Sequence, residues 1–184
     1  LDYTLLSEFY NNLTNFDVRI TLPIDYAVLS TGQLQNAADV LPSSIHEKYE
    51  RAHTSTDPIE VISRADLENG FRTASNTWHY AALEVTDFAM AVSDHYRWDA
   101  AIQQVEDRDV LISAFYPDDT IRDYSALVPI QQKMMVHFSE DIPGIPYPYE
   151  EFTTFIGGEG GGMEYPMMAN NGGPGLGVTV HEMF

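Results

Sequence analysis

The residues best suited to chemistry lie at the C-terminal end: His181-Glu182-Met183-Phe184, the first four positions of the pattern H-E-x-x-H. On a helix, two histidines one turn apart share a face and can bind one zinc ion. The glutamate between them then lies beside the metal and can act as general base for a water molecule. This chain supplies the first histidine and the glutamate, and an isolated His-Glu pair is common on protein surfaces. What gives it weight is a glycine-rich run just upstream, GGEGGGMEYPMMANNGGPGLG from Gly157. Within it Gly161-Gly162-Met163-Glu164 puts a carboxylate behind glycines, the residue type that lets another backbone approach closely. The run contains neither G-x-G-x-x-G nor G-K-[ST], so it is not a phosphate-binding loop. His46, His53, His79, His95 and His137 have no partners at metal-ligand spacing. Acidic pairs such as Asp118-Asp119 and Glu150-Glu151 lack the spacing of a calcium loop.

Elements that could position these groups follow from periodicity. Phe16 to Leu22 alternates apolar and polar residues, which predicts a half-buried strand, and Tyr26 to Ser30 predicts a second. Ser43 to Arg51 has helix-forming composition with a serine cap. Trp78 to Met90 predicts a strand leading into a turn. Asp109 to Tyr116 predicts a strand with Val110, Ile112 and Ala114 on one face. From Ile121 to Glu140 the apolar spacing turns helical, with Pro129 either kinking the helix or marking its start. Pro143 to Pro148 must be a connecting turn, and Glu151 to Ile156 a short strand. Trp78 and Trp98 read as core or domain-interface residues rather than ligand stackers. The change of pattern predicts a domain boundary near residue 120.

Composition narrows the classes of partner. The chain has 184 residues and a mass of 20.7 kDa. Nine Lys and Arg against 28 Asp and Glu leave a formal net charge of −19, which argues against binding nucleic acid or anionic membranes. With 44% hydrophobic and 12% aromatic residues the chain can bury a core, so disorder is excluded. No stretch approaches the about 18 apolar residues of a membrane span. There is no cysteine, hence no disulfide or thiolate site, and the compartment stays open. The chain begins at Leu1 and its last residues read as the opening of a helix, so it is expected to be a window on a longer protein.

Taken together, Gly161-Gly162-Met163-Glu164-Tyr165-Pro166 followed closely by His181-Glu182 resembles the G-x-M-E-N exopeptidase motif and zinc motif of the M1 family of zinc aminopeptidases. The resemblance extends over Phe16 to Gly32, over Trp78 with Val85 to Asp94 and Trp98-Asp99, and over Phe138-Ser139-Glu140 to Tyr147-Pro148-Tyr149. It departs from the common motif at Tyr165, where the family usually has Asn. The resemblance implies an α+β fold. Residues 1–120 would be the later part of an antiparallel, β-rich N-terminal domain, and 121–184 the opening of a thermolysin-like catalytic domain. It implies His181 as a zinc ligand and Glu182 as the catalytic base. Glu164 would hold the free α-amine of a peptide, beside Gly161, Gly162 and Met163 as further substrate-binding residues. The second histidine, a glutamate ligand and a transition-state tyrosine would lie past Phe184, in the remaining catalytic and C-terminal domains. The implied activity is hydrolysis of the N-terminal peptide bond of peptides, with zinc as cofactor. The rival expectation is a non-catalytic, β-rich binding or scaffold module with M1-like sequence. A last expectation concerns residues 178–184: too short to hold a helix alone, they should be ordered only against a further segment or a second chain.

Overall fold

Along the chain, runs of alternating and β-branched residues form strands, and the proline- and glycine-bounded segments between them form short helices and turns. The computed structural model describes residues 12–119, 121–158 and 160–183. In order come β1 (Thr14–Thr21), β2 (Ala27–Ser30), β3 (Gln33–Leu34), α1 (Ala37–Val40), α2 (Ser43–Ala52), β4 (Ile59–Ile62), α3 (Arg64–Glu68), β5 (Thr77–Val85), β6 (Met90–Ser93), β7 (Tyr96–Val105), β8 (Arg108–Pro117), α4 (Leu127–Val136), β9 (Glu151–Ile156), β10 (Gly162–Tyr165), β11 (Met168–Asn171) and α5 (Leu176–Glu182). The fold is α+β with a mixed main sheet.

Among the described residues these strands form three sheets. β1-β5-β3 and β2-β6 are antiparallel, whereas the largest has the order β10-β11-β9-β8-β7-β4. In that sheet β8, β9 and β11 run parallel and the remaining pairs are antiparallel. Parallel neighbours need a crossover, and α4 makes it between β8 and β9. The change from strand to helical pattern near residue 120 is thus where the chain leaves β8 for α4; residue 120 itself lies outside the described residues.

The six-stranded sheet is covered on both faces. On one, Trp98, Ala100, Leu111, Phe115 and Met168 pack with Ile45 and Tyr49 of α2 and with Trp78 and Tyr80 of β5. On the other, Val110, Ile112, Ala114, Phe152 and Ile156 pack under Leu127, Val128 and Met135 of α4. The three residues expected on one face of β8 are there. Leu111 and Phe115 are buried as well, because β8 is central and neither face meets water.

α4 starts at Leu127, so Pro129 falls in its first turn, where the missing N–H costs nothing. Ser43 is the first residue of α2 rather than its cap; Pro42 precedes it and no side chain caps the helix. The glycine-rich run holds the β10-β11 hairpin, which its composition conceals. α5 packs on α4, β10 and β11 of the same chain, so part of the same fold supplies the support expected from a further segment. No helix among the described residues is long and apolar enough to cross a membrane.

Candidate functional site

β10 is the edge strand of the large sheet, and successive side chains along a strand point to opposite faces. Gly162 and Glu164 therefore share a face and Met163 takes the other. α5 lies on the face of Gly162 and Glu164, because a Cβ built on Gly162 points into Glu182, which with Thr179 is buried on the helix. Asn171 Nδ2 of β11 donates to Thr179 Oγ1 at 3.0 Å, and that hydroxyl donates to the carbonyl of Gly175 at 3.1 Å. This polar clamp fixes the start of α5 to the sheet.

The outcome is a pocket of about 260 Å³ lined by Glu164, Tyr165, Glu182, Met183, Tyr147, Tyr149 and Phe152, among others. Two carboxylates from different elements, Glu164 of β10 and Glu182 of α5, line it together. Burial is the main cause that holds the Glu182 carboxyl above its ordinary range. The neighbouring Glu164 carboxylate adds to it, against a lowering pull from His181. Glu182 is 6% exposed, and its buried Oε2 has no hydrogen-bond partner among the described residues. Glu164 is exposed at the mouth. A Cβ on Gly162 would stand 2.1 Å from Glu182 Oε1 and 2.5 Å from its Cγ, so the catalytic candidate is seated against a bare glycine.

The other candidates are placed differently. Gly161 adopts φ +83° before β10 with open space around its Cα, and neither it nor Met163 lines the pocket. His181 is exposed on α5. Phe184 lies outside the described residues. Among the described residues no three His, Cys, Asp or Glu side chains come together to hold a metal ion. These residues therefore do not form a zinc site by themselves; His181 offers one donor where a catalytic zinc takes three from protein.

Sequence reading missed Tyr147, Tyr149 and Thr86 as pocket residues. The turn that carries the tyrosines is fastened to the sheet: Arg108 donates to the carbonyls of Tyr147 and Pro148, and Tyr147 OH donates to the carbonyl of Glu151 at 3.0 Å. The one available signal was two aromatic rings inside a proline-bounded turn, where solvated side chains are the rule.

No family model matches the chain, and no curated protein matches it in sequence. Its fold matches solved structures. An M1 zinc metallopeptidase from Deinococcus radiodurans aligns with a TM-score of 0.60 at 12% identity, over 94% of this chain and 34% of that one. Aminopeptidase A from Legionella pneumophila, solved with aspartic acid, aligns with a TM-score of 0.60 at 12% identity, over 95% of this chain and 19% of that one. A point variant of the Deinococcus enzyme bound to a Tyr-Ser-Ala substrate gives 0.57 at 13% identity, over 88% of this chain and 30% of that one. Over most of its length the chain is thus similar in fold to part of the M1 zinc metallopeptidases, and it spans about a third of the length of the Deinococcus protein.

Proposed function

We propose that this chain is the substrate-anchoring part of an M1-type zinc aminopeptidase, which hydrolyses the first peptide bond of peptides with a free N-terminus. The observation that carries the reading is the pocket in which Glu164 of β10 and Glu182 of α5 converge. In this reading the Glu164 carboxylate accepts hydrogen bonds from the substrate ammonium, a charge-assisted contact that an acylated N-terminus cannot make. Glu182, poised above the ordinary carboxylate range, takes up a proton from the attacking water. His181 would be one donor of a zinc site completed by residues outside this chain. The fold likeness to M1 enzymes supports the assignment of class.

The test is hydrolysis of an aminoacyl anilide by a version of the protein that continues past residue 184, supplied with zinc. Turnover is expected. Glu182→Gln should lower kcat by about 10²–10⁴-fold. Glu164→Gln should chiefly raise KM and blunt the preference for a free over an acetylated amine. A zinc-loaded protein that turns over no aminoacyl anilide would sink the aminopeptidase reading and favour a non-catalytic binding module.

A further inference from the structure

Next to the candidate pocket lies a larger groove of about 620 Å³, and Tyr149 and Met167 line both. Its walls are Ala81 to Glu84 of β5, the Pro148-Tyr149-Glu150 turn, and the amide side chains of Gln33 and Gln35 at β3. Two carboxylates face it, Glu84 and Glu150, and no lysine, arginine or histidine among the described residues lines it. Glu84 has no cationic partner among the described residues, and Glu150 has only Arg108 at 3.7 Å. Leu13 and Leu83, 65% and 68% exposed, add apolar surface.

The backbone is shaped to present this groove. Thr14 pairs with Val85 and Phe16 with Ala82, so β5 carries one extra residue, a β-bulge of the kind that re-aims a side chain. Glu84 sits in the bulge at φ 54°. Its N–H donates to Asn15 Oδ1 at 2.9 Å and its carbonyl accepts from Tyr149 OH at 3.2 Å. Met167, at φ 62°, occupies the second corner of the Pro166-Met167 turn, a place that favours glycine or asparagine. Of the three non-glycine residues with left-handed backbone among those described, these two line the one groove. Such conformations persist where the surroundings impose them, and they cluster at binding sites.

We propose that this groove is a subsite for a lysine or arginine side chain of the peptide substrate. Its apolar stretches, Leu13, Leu83, Pro148 and Met167, suit the aliphatic stem of such a side chain, and its two carboxylates, with the Gln33 and Gln35 amide oxygens as further acceptors, suit the cationic head. The inference rests on the reading of Glu164 as the amine anchor, and it makes the proposed enzyme selective for basic peptides.

The test is titration of the 184-residue chain, followed by amide NMR, with alanine tetrapeptides that carry one lysine or one norleucine. The residue is placed at the first, second or third position, and each peptide is made with a free and with an acetylated N-terminus. At about 0.01 M salt the best lysine peptide should bind roughly three- to tenfold more tightly than its norleucine twin in both series, with shifts at Ala81 to Glu84 and Pro148 to Glu150. Near about 1 M salt the ratio should approach unity. The Glu84→Gln/Glu150→Gln double variant should lose the lysine preference and keep the free-amine preference, whereas Glu164→Gln should do the reverse. Equal binding of lysine and norleucine peptides, a lysine preference that survives the double variant, or no binding of lysine peptides overturns the subsite. If only the free-amine preference is missing, the amine-anchor reading fails, and the acetylated series still decides the groove.

Discussion

At the scale of single residues, the site depends on what Gly162 lacks. Any Cβ there meets the Glu182 carboxylate and its Cγ, so Gly162→Ala must push that side chain out of its seat. A loss of about 1–3 kcal/mol in urea unfolding is expected, with amide shifts confined to β10, α5 and the pocket wall. An unchanged unfolding curve would show that Glu182 does not rest there. Two carboxyls elsewhere should govern the response to pH. Glu151, at the start of β9, borders a small polar cavity with Tyr49, Tyr80 and Ser113. Burial, with help from Glu150, pushes it up to about 8 from 4.5. Below 4.5 the carboxyl is protonated in both folded and unfolded chains and costs nothing. Between 4.5 and 8 the unfolded chain releases a proton that the folded chain retains, so stability falls as pH rises and levels off above that window. Glu151→Gln should remove that part of the slope and be the more stable protein at pH 8, as read from urea midpoints across the pH range. Asp99, pushed up to about 6 by burial while accepting a hydrogen bond from Tyr116 OH, acts in the same direction between 3.8 and 6.

At the scale of elements, the position of Glu182 is set by the contact between α5 and β11. Thr179 is buried and accepts the hydrogen bond of the Asn171 amide. Thr179→Ala removes the acceptor of that amide, beside Asn171 Oδ1, which already has no partner among the described residues. A cost of about 1–3 kcal/mol is expected, together with faster hydrogen exchange along α5, while α4 and β8 keep their protection. Uniform exchange in the variant would mean that the clamp does not hold the helix. Elements with a strong periodicity were legible in the sequence: β1, β8, β9 and the helix that begins near Pro129 all follow their apolar patterns. The β10-β11 hairpin was hidden because, Tyr165 apart, its strands carry no aromatic or β-branched residue, and glycine, asparagine, glutamate and alanine are depleted in strands. It forms because β9 offers Met168 to Asn171 a parallel partner edge. The bulge in β5 was hidden for a related reason, since only pairing with β1 creates the extra residue.

At the scale of the molecule, the large sheet is a divider: one face carries α2 and the smaller sheets, the other carries α4 and α5. Both carboxylates of the candidate site stand on the second face, at the open β10 edge. Among the described residues no three His, Cys, Asp or Glu side chains gather there to hold a metal, so the 184-residue chain by itself should bind zinc weakly and turn over no aminoacyl anilide. Isothermal titration with zinc and a sensitive anilide assay check both statements, and tight stoichiometric zinc or robust turnover would refute them. The sequence by itself determined the charge, the periodic strands and helices, the buried tryptophans and the chemical types gathered in its glycine-rich end. Those are local properties, written in composition and spacing. Only the tertiary structure decided that Glu164 and Glu182 share a pocket, that Met163 faces away from it, and that Tyr149 and Glu84 extend it into an acidic groove. Each of those facts depends on which strands pair, in what register, and on which face a helix settles. The cooperative burial of both sheet faces selects those pairings, and no short window of sequence contains them.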